Sequence, residues 1–581
     1  MRTLLGCLTI MGAWLVLGIA LLGVGRAVRR VACGRGQAWR AGDFWTGLSV
    51  AVGLVFLVHL FAPIGHWLWL FIGPLALLGL VQRPRPRFSR QRVGLLTLPL
   101  GLLGALYVAD RALKPATSYD SGLYHLPTLD WMFAFPAVPG LANLHGRLGF
   151  NSGSIAYTAF VGSAVPPEIV SHFANGLLAV AVGVEVLLAL RVLLRRGRPP
   201  RHYAPELVLL LATPALLMPI HEATAISSPS LDLPALVVSL AAALYVGRVA
   251  AADEQHPADW VATTALLALL PVMRVQLGVF TVIAAVLLAV GVRTGRTTAP
   301  FGRRLVLAVG GIPALVWGAW TAHGIVLSGY LIYPSTLSRL PVSWAVPVAV
   351  GDRETAWIRS WARTPGQPPE QVLNDSSWLG PWARRIAADP EIRGMTLLLT
   401  AGVVVLVYLS RRGRQQSGGR PRPAESRNHP LLVIGAASAG TLVVWFLLAP
   451  DPRFSLGPLW LAAAAPAAAA TSLLWPHRRA VGIVAVGVFL TVGGGFSARE
   501  LLVTHQLAPQ GAVGTGRWGL NEAPQVPLVA FVRDGTRFYR PAQGDQCWAK
   551  SLPCTPYVSS FTLRTPGSVR DGFNPTGRPQ L

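Results

Sequence analysis

Apolar runs long enough to cross a bilayer, about 17–25 residues, recur along almost the whole chain, separated by arginine clusters or by polar and aromatic segments. The first run, 4–24, is followed by Arg26, Arg29, Arg30, Arg35 and Arg40. Cations behind an apolar run mark the cytoplasmic flank, so the N-terminus is expected outside. Only Arg2 precedes this run, which therefore reads as an uncleaved helix and not as a signal peptide. The stretch 46–81 is long enough for two helices, broken at Pro63 and Gly65, and it returns to the basic segment Arg83 to Arg92.

Further spans are expected at 93–109, 169–190, 205–220 and 235–251, with Arg191, Arg195, Arg196, Arg198 and Arg201 on an inner flank. The run 260–292 is interrupted by Pro271 and Arg274 and reads as two short helices meeting near the outer surface. Spans at 305–322, 395–410, 431–449, 456–474 and 480–497 complete a bundle of about fourteen. A basic, Gly/Pro-rich loop from Arg411 to Pro430 reads as flexible. The result is an all-α polytopic membrane protein: helices 1–92, a core 93–497 with outer loops 110–168 and 323–392, and an extracytoplasmic tail 498–581.

Composition agrees with the pattern. Charged residues are 13% and hydrophobic residues 52%, whereas soluble domains approach about 25% charged. The net charge of +25 does not point to nucleic acid, because the arginines fall in short clusters between spans, where they orient the chain. Four cysteines are too few for a disulfide framework, and no Cys/His spacing suits zinc. A divalent metal is possible but not indicated.

The polar chemistry concentrates in the outer segments. In YDSGLYHLPTLDW, Asp120 follows a helix end, so it is expected at the interface, where it can either take a proton from an acceptor hydroxyl or cap the next helix; Tyr124 and His125 follow it. The turn HEATAISSPSLD adds Glu222 and Asp232, the latter also placed to cap a helix. Arg274 interrupts an apolar run, so it must face protein or water; it suits a phosphate fork or an interfacial snorkelling role. Arg453 in APDPRFSLGPLW has Asp451 as a ready partner. Trp357 and Trp361 share one helical face and Arg359 and Arg363 another, the pattern of a helix lying on a membrane. In the tail, Cys547 and Cys554 are expected to form a disulfide in an oxidising compartment.

These residues resemble the GT-C superfamily of polyprenyl-phosphate-sugar-dependent membrane glycosyltransferases. YDSGLY keeps the Asp and Tyr of an acidic outer-loop motif, often Asp-Glu-x-x-Tyr, with Ser121 in place of the Glu; SPSLD is similar to the second acidic position, and DPRFSLGPLW to an Arg-Tyr-x-x-x-x-Pro pattern. YHLP, GLANLHGRLGFNS, GYLIYPS, GDQCW and LPCTPY are closer to a group of bacterial membrane proteins, the LIC_10190 family.

The resemblance implies an inverting glycosyltransferase in the bacterial plasma membrane that moves a sugar from a polyprenyl-phosphate donor onto a glycan, lipid or protein acceptor at the outer face. Asp120 would be the base, Arg274 and Arg453 would hold the lipid phosphate, and Tyr124, His125, Glu222 and Asp232 would contribute to substrate binding. The competing readings are a transporter or flippase of a polar lipid and a non-catalytic envelope-assembly protein. A transporter should carry its charges near the bilayer midplane; here they are assigned to the outer side, where Asp120, Asp232, Arg274 and Arg453 should line one cavity.

Overall fold

The structure, a computed structural model, describes residues 2–34, 39–81, 97–194, 203–222, 224–251, 256–295, 302–416, 429–474, 479–503, 520–548, 551–558 and 561–576. The basic segments 83–92 and 195–201, and most of the loop 411–430, lie outside the described residues. The chain is mostly helical, 74%, with a small β region at its C-terminal end. The all-α expectation is corrected there: two antiparallel hairpins, Leu528–Arg533 with Thr536–Pro541 and Phe561–Thr565 with Ser568–Pro575, form in the tail.

Among the described residues, ten helices are long and apolar enough to cross a bilayer. Fourteen spans are not seen among the described residues: the runs His66–Leu80, Thr97–Ala112, Pro257–Met273 and Val481–Phe496 are shorter there, the last being the apolar part of the 25-residue helix Arg479–Val503. At 1.5 Å per residue the 17-residue helix Pro257–Met273 spans only about 26 Å, less than the roughly 30 Å hydrocarbon layer. The break expected in 260–292 falls at Arg274, which is extended between Pro257–Met273 and Gly278–Arg293.

Small residues set the helix spacing, as they do where bilayer-embedded helices cannot use the hydrophobic effect against one another. A Cβ on Gly47 would lie 1.9 Å from the Leu21 carbonyl, and one on Gly402 would lie 2.6 Å from the Ala467 backbone nitrogen. The first two helices are thus in backbone contact, and the alanine-rich helix Leu456–Leu474 also lies close to Pro390–Gln416.

Among the described residues, several charges buried between the helices are paired, as the cost of a lone charge away from water requires. Arg29 meets Asp43 through bonds of 2.5 and 2.8 Å, with both side chains almost fully buried. Glu185 accepts from the Trp45 indole at 3.0 Å and the Tyr245 hydroxyl at 2.8 Å, and Arg248 donates to Glu206 at 3.0 Å. The Trp45–Glu185 bond ties the second helix to the middle of the bundle, so the described N-terminal helices Arg2–Cys33 and Gly42–His59 pack as part of the core.

Candidate functional site

At one end of the bundle, segments joining the long helices bring distant acids and arginines together. Asp120 precedes a single π-helical turn, Ser121–His125, and its side chain makes no capping hydrogen bond. Its two oxygens instead face Arg147 and Arg453, each at 3.5 Å. A well-formed charge-assisted bond is about 2.7–2.9 Å, so the carboxylate is held loosely. Its side chain is 24% exposed and that of Arg453 41%, which leaves the pair open to solvent.

Arg274, held at the helix break, pairs with Asp232 at the start of the helix Asp232–Ala251. The Arg274 and Arg453 guanidiniums lie over the Phe454 ring at 4.8 and 4.9 Å from its centroid. The turn carrying Arg453 is built by Asp451, whose Oδ1 accepts from the Arg453 backbone nitrogen at 3.1 Å, and by Gln276, which donates to the Phe454 carbonyl at 2.7 Å. Asp451 is also 3.9 Å from the Arg453 guanidinium, so the partnership visible in the sequence exists, yet Asp120 lies closer.

Arg147 and Glu354 were missed by sequence reasoning. Arg147 stands 3.4 Å from Glu354 and 5.8 Å above the Tyr124 ring. The only signal for it was its place within GLANLHGRLGFNS. Gly140 opens that motif with φ +68°, and a Cβ there would meet the Phe573 carbonyl of the tail at 2.2 Å; glycine is required both by the left-handed backbone and by the space.

Electrostatics binds the group together. Burial works against the Arg147 charge, but Glu354, Tyr124 and Asp120 more than offset it and raise its pKa. Burial pushes the Glu354 carboxyl up, with Arg147 opposing. Arg274 is brought down to about 10 by burial and then by the like charge of Arg453, with Tyr124, Asp451 and Asp120 acting the other way. The Tyr124 phenol is raised by burial and then by Asp120. His125 falls to about 4, chiefly through burial, so it is a neutral imidazole at neutral pH; it is buried, with Nε2 unpartnered and Nδ1 3.3 Å from Ser121 Oγ.

Glu222 does not join the cluster. Its acidic neighbours are Asp389 and Glu391, and burial followed by Asp389 raises its pKa. The reason is the path of the turn: Asn175 donates to the carbonyls of Ala225, Ser228 and Ser230 and pins the segment against the helix Ala174–Leu194. Asp232 is thereby delivered to Arg274, and Glu222 is left on the far side.

The tail forms a roof over the Asp120 turn. Trp548 donates its backbone N–H to the Gly122 carbonyl at 2.9 Å, and a Cβ on Gly122 would lie 2.4 Å from the indole. Tyr119 donates to Asp545 at 2.5 Å, and Thr555 donates to the Leu144 carbonyl at 2.8 Å. Cys547 and Cys554, which flank these anchors, are disulfide-bonded.

Two apolar cavities of about 410 and 500 Å³ lie elsewhere, one lined by Trp260, Leu267 and Trp317 and the other by Trp14, Trp45 and Glu185; neither includes the cluster. Among the described residues no three His, Cys, Asp or Glu side chains converge as metal ligands. Guanidiniums around Asp120 also repel a cation. The cluster sets three guanidiniums, Arg147, Arg274 and Arg453, among four carboxylates, Asp120, Asp232, Glu354 and Asp451.

A family profile described as a domain of unknown function, DUF8201, matches residues 8–460. The chain belongs to the DUF8201 family. No curated protein and no solved structure matches it. The DUF8201 segment includes the N-terminal helices together with Asp120, Arg147, Asp232, Arg274, Glu354 and Arg453, and it ends before the β-containing tail.

Proposed function

We propose that this DUF8201 protein is a GT-C-type glycosyltransferase that moves a sugar from a polyprenyl-phosphate donor to a cell-envelope acceptor at the outer face of the membrane. The observation that carries the reading is Asp120, a partly exposed acid held at 3.5 Å by two guanidiniums at the end of an apolar bundle, with Arg274 close by. In the reaction, the acceptor oxygen bonds to the anomeric carbon as the bond from that carbon to the phosphate oxygen breaks. The electron pair leaves with the lipid phosphate, and the acceptor proton passes to Asp120. Arg453 and Arg274 offset the charge developing on the phosphate, the kind of electrostatic assistance that supplies much of an enzyme's acceleration.

The test is transfer of radiolabel from a panel of polyprenyl-phosphate sugars in membranes containing the wild type or Asp120→Asn. The variant is expected to lose about 10²–10⁴-fold in rate, the usual worth of general-base assistance. Equal rates in the two proteins remove the base role. No transfer by the wild type from any donor in the panel rejects the transferase reading in favour of a transporter or an assembly protein.

A further inference from the structure

A second group of guanidiniums stands apart from the Asp120 cluster. Arg359 and Arg363 are four residues apart on the helix Val348–Arg363 and therefore neighbours on its surface. Among the described residues neither has a carboxylate partner, and the Nε of each is buried without a hydrogen bond. Burial and the like charge of Arg359 both lower the Arg363 pKa. Two adjacent cations with buried, unpaired donors are an arrangement that an anion would relieve.

The surroundings indicate which kind of anion. The Arg363 guanidinium lies 4.5 Å over Trp378, and Trp378 and Trp382 both pack on Phe446 at the end of the span His429–Leu448. Phe446, Leu447 and Leu448 are exposed, as are Trp357 and Trp361 on the same helix as the arginines. Exposed tryptophans and leucines beside arginines are the composition of the headgroup layer. The anion this site fits therefore arrives attached to acyl or isoprenoid chains.

We propose that Arg359 and Arg363, the latter stacked on Trp378, bind the phosphate of an anionic membrane lipid at the rim of the bundle. Arg385 links their helix to the Asp120 cluster: it donates to the Ala362 carbonyl at 2.8 Å, and its guanidinium is 3.6 Å from Asp451, which in turn lies 3.9 Å from the Arg453 guanidinium. A lipid phosphate held at the rim would thus sit beside the turn that presents Arg453. The proposal stands whether or not the protein transfers sugars.

The purified full-length protein in nanodiscs of mixed phosphatidylglycerol and phosphatidylcholine provides the test, with native mass spectrometry of the retained lipids. One arginine near a headgroup changes anionic-lipid affinity about fivefold, so Arg359→Gln/Arg363→Gln should lower the phosphatidylglycerol preference by about thirtyfold. The Arg359→Lys/Arg363→Lys pair, which keeps the charge, should retain most of the preference. If the double Gln variant does not assemble, each single variant carries the test with an expected drop of about fivefold. An unchanged lipid ratio in the Gln variants overturns the site. Displacement of phosphatidylglycerol by millimolar inorganic phosphate overturns its lipid character and assigns the arginines to a free anion.

Discussion

Removing Arg147 tests whether the cluster is one coupled electrostatic unit. The Arg147→Gln variant leaves Glu354 without its cation at 3.4 Å and Asp120 with one guanidinium where it had two. The side chains of Arg147 and Glu354 are 31% and 18% exposed. The loss should therefore fall between the roughly 0–1 kcal/mol of a surface pair and the about 3–5 kcal/mol of breaking a buried one, or about 2 kcal/mol. Because burial already raises the Glu354 pKa, losing Arg147 raises it further. A carboxyl raised in the folded state favours folding below its unfolded pKa and loses that contribution as pH rises through the folded value. The deficit of Arg147→Gln should therefore be largest near neutral pH and shrink as the pH falls towards about 4.5. Equilibrium SDS titration in mixed micelles, followed by tryptophan fluorescence, measures this for Arg147→Gln, Glu354→Gln and the double variant. The double variant should recover at least about 1 kcal/mol relative to the sum of the single effects. Strictly additive effects, or a deficit independent of pH, would refute the coupling.

The disulfide closes a loop with a sequence separation of 7, so Cys547→Ser/Cys554→Ser should cost the tail about 2.5 kcal/mol of loop entropy, seen as faster proteolysis between the hairpins. Gly122→Ala should push Trp548 off the Asp120 turn, given the 2.4 Å approach; acrylamide quenching of a protein keeping Trp548 as its one tail tryptophan should rise. Asp43→Asn removes the carboxylate that accepts two bonds from the buried Arg29 and should cost about 3–5 kcal/mol, read as loss of monodisperse protein on extraction.

Much of the fold is legible along the chain. The runs at 235–251, 431–449 and 456–474 match Asp232–Ala251, His429–Leu448 and Leu456–Leu474 to within a few residues, because an apolar run bounded by charge or Pro/Gly carries its own end signals. The helix break at Arg274 was equally readable from a charge placed where lipid cannot accept it. The tail's strands were not, since each hairpin is short and its apolar residues, Phe538, Phe561 and Phe573, find their core against one another and against distant residues such as Trp131, Leu144 and Leu327. Glu222 and Asp232 looked equivalent in one turn, and only the carbonyls gathered by Asn175 separated them.

The chain by itself determined that this protein lives in a bilayer as a helical bundle, since transfer into lipid is a sum over neighbouring residues and needs no partner. It also brought Asp120, Asp232, Arg274 and Arg453 forward as chemistry stranded at helix ends. Tertiary structure alone decided that Asp120 faces Arg147 and Arg453, 27 and 333 residues away, and that Glu354 completes the set. Ion pairs at the ends of packed helices depend on helix spacing and turn geometry, which glycines, tryptophans and the folded tail adjust together across the whole molecule.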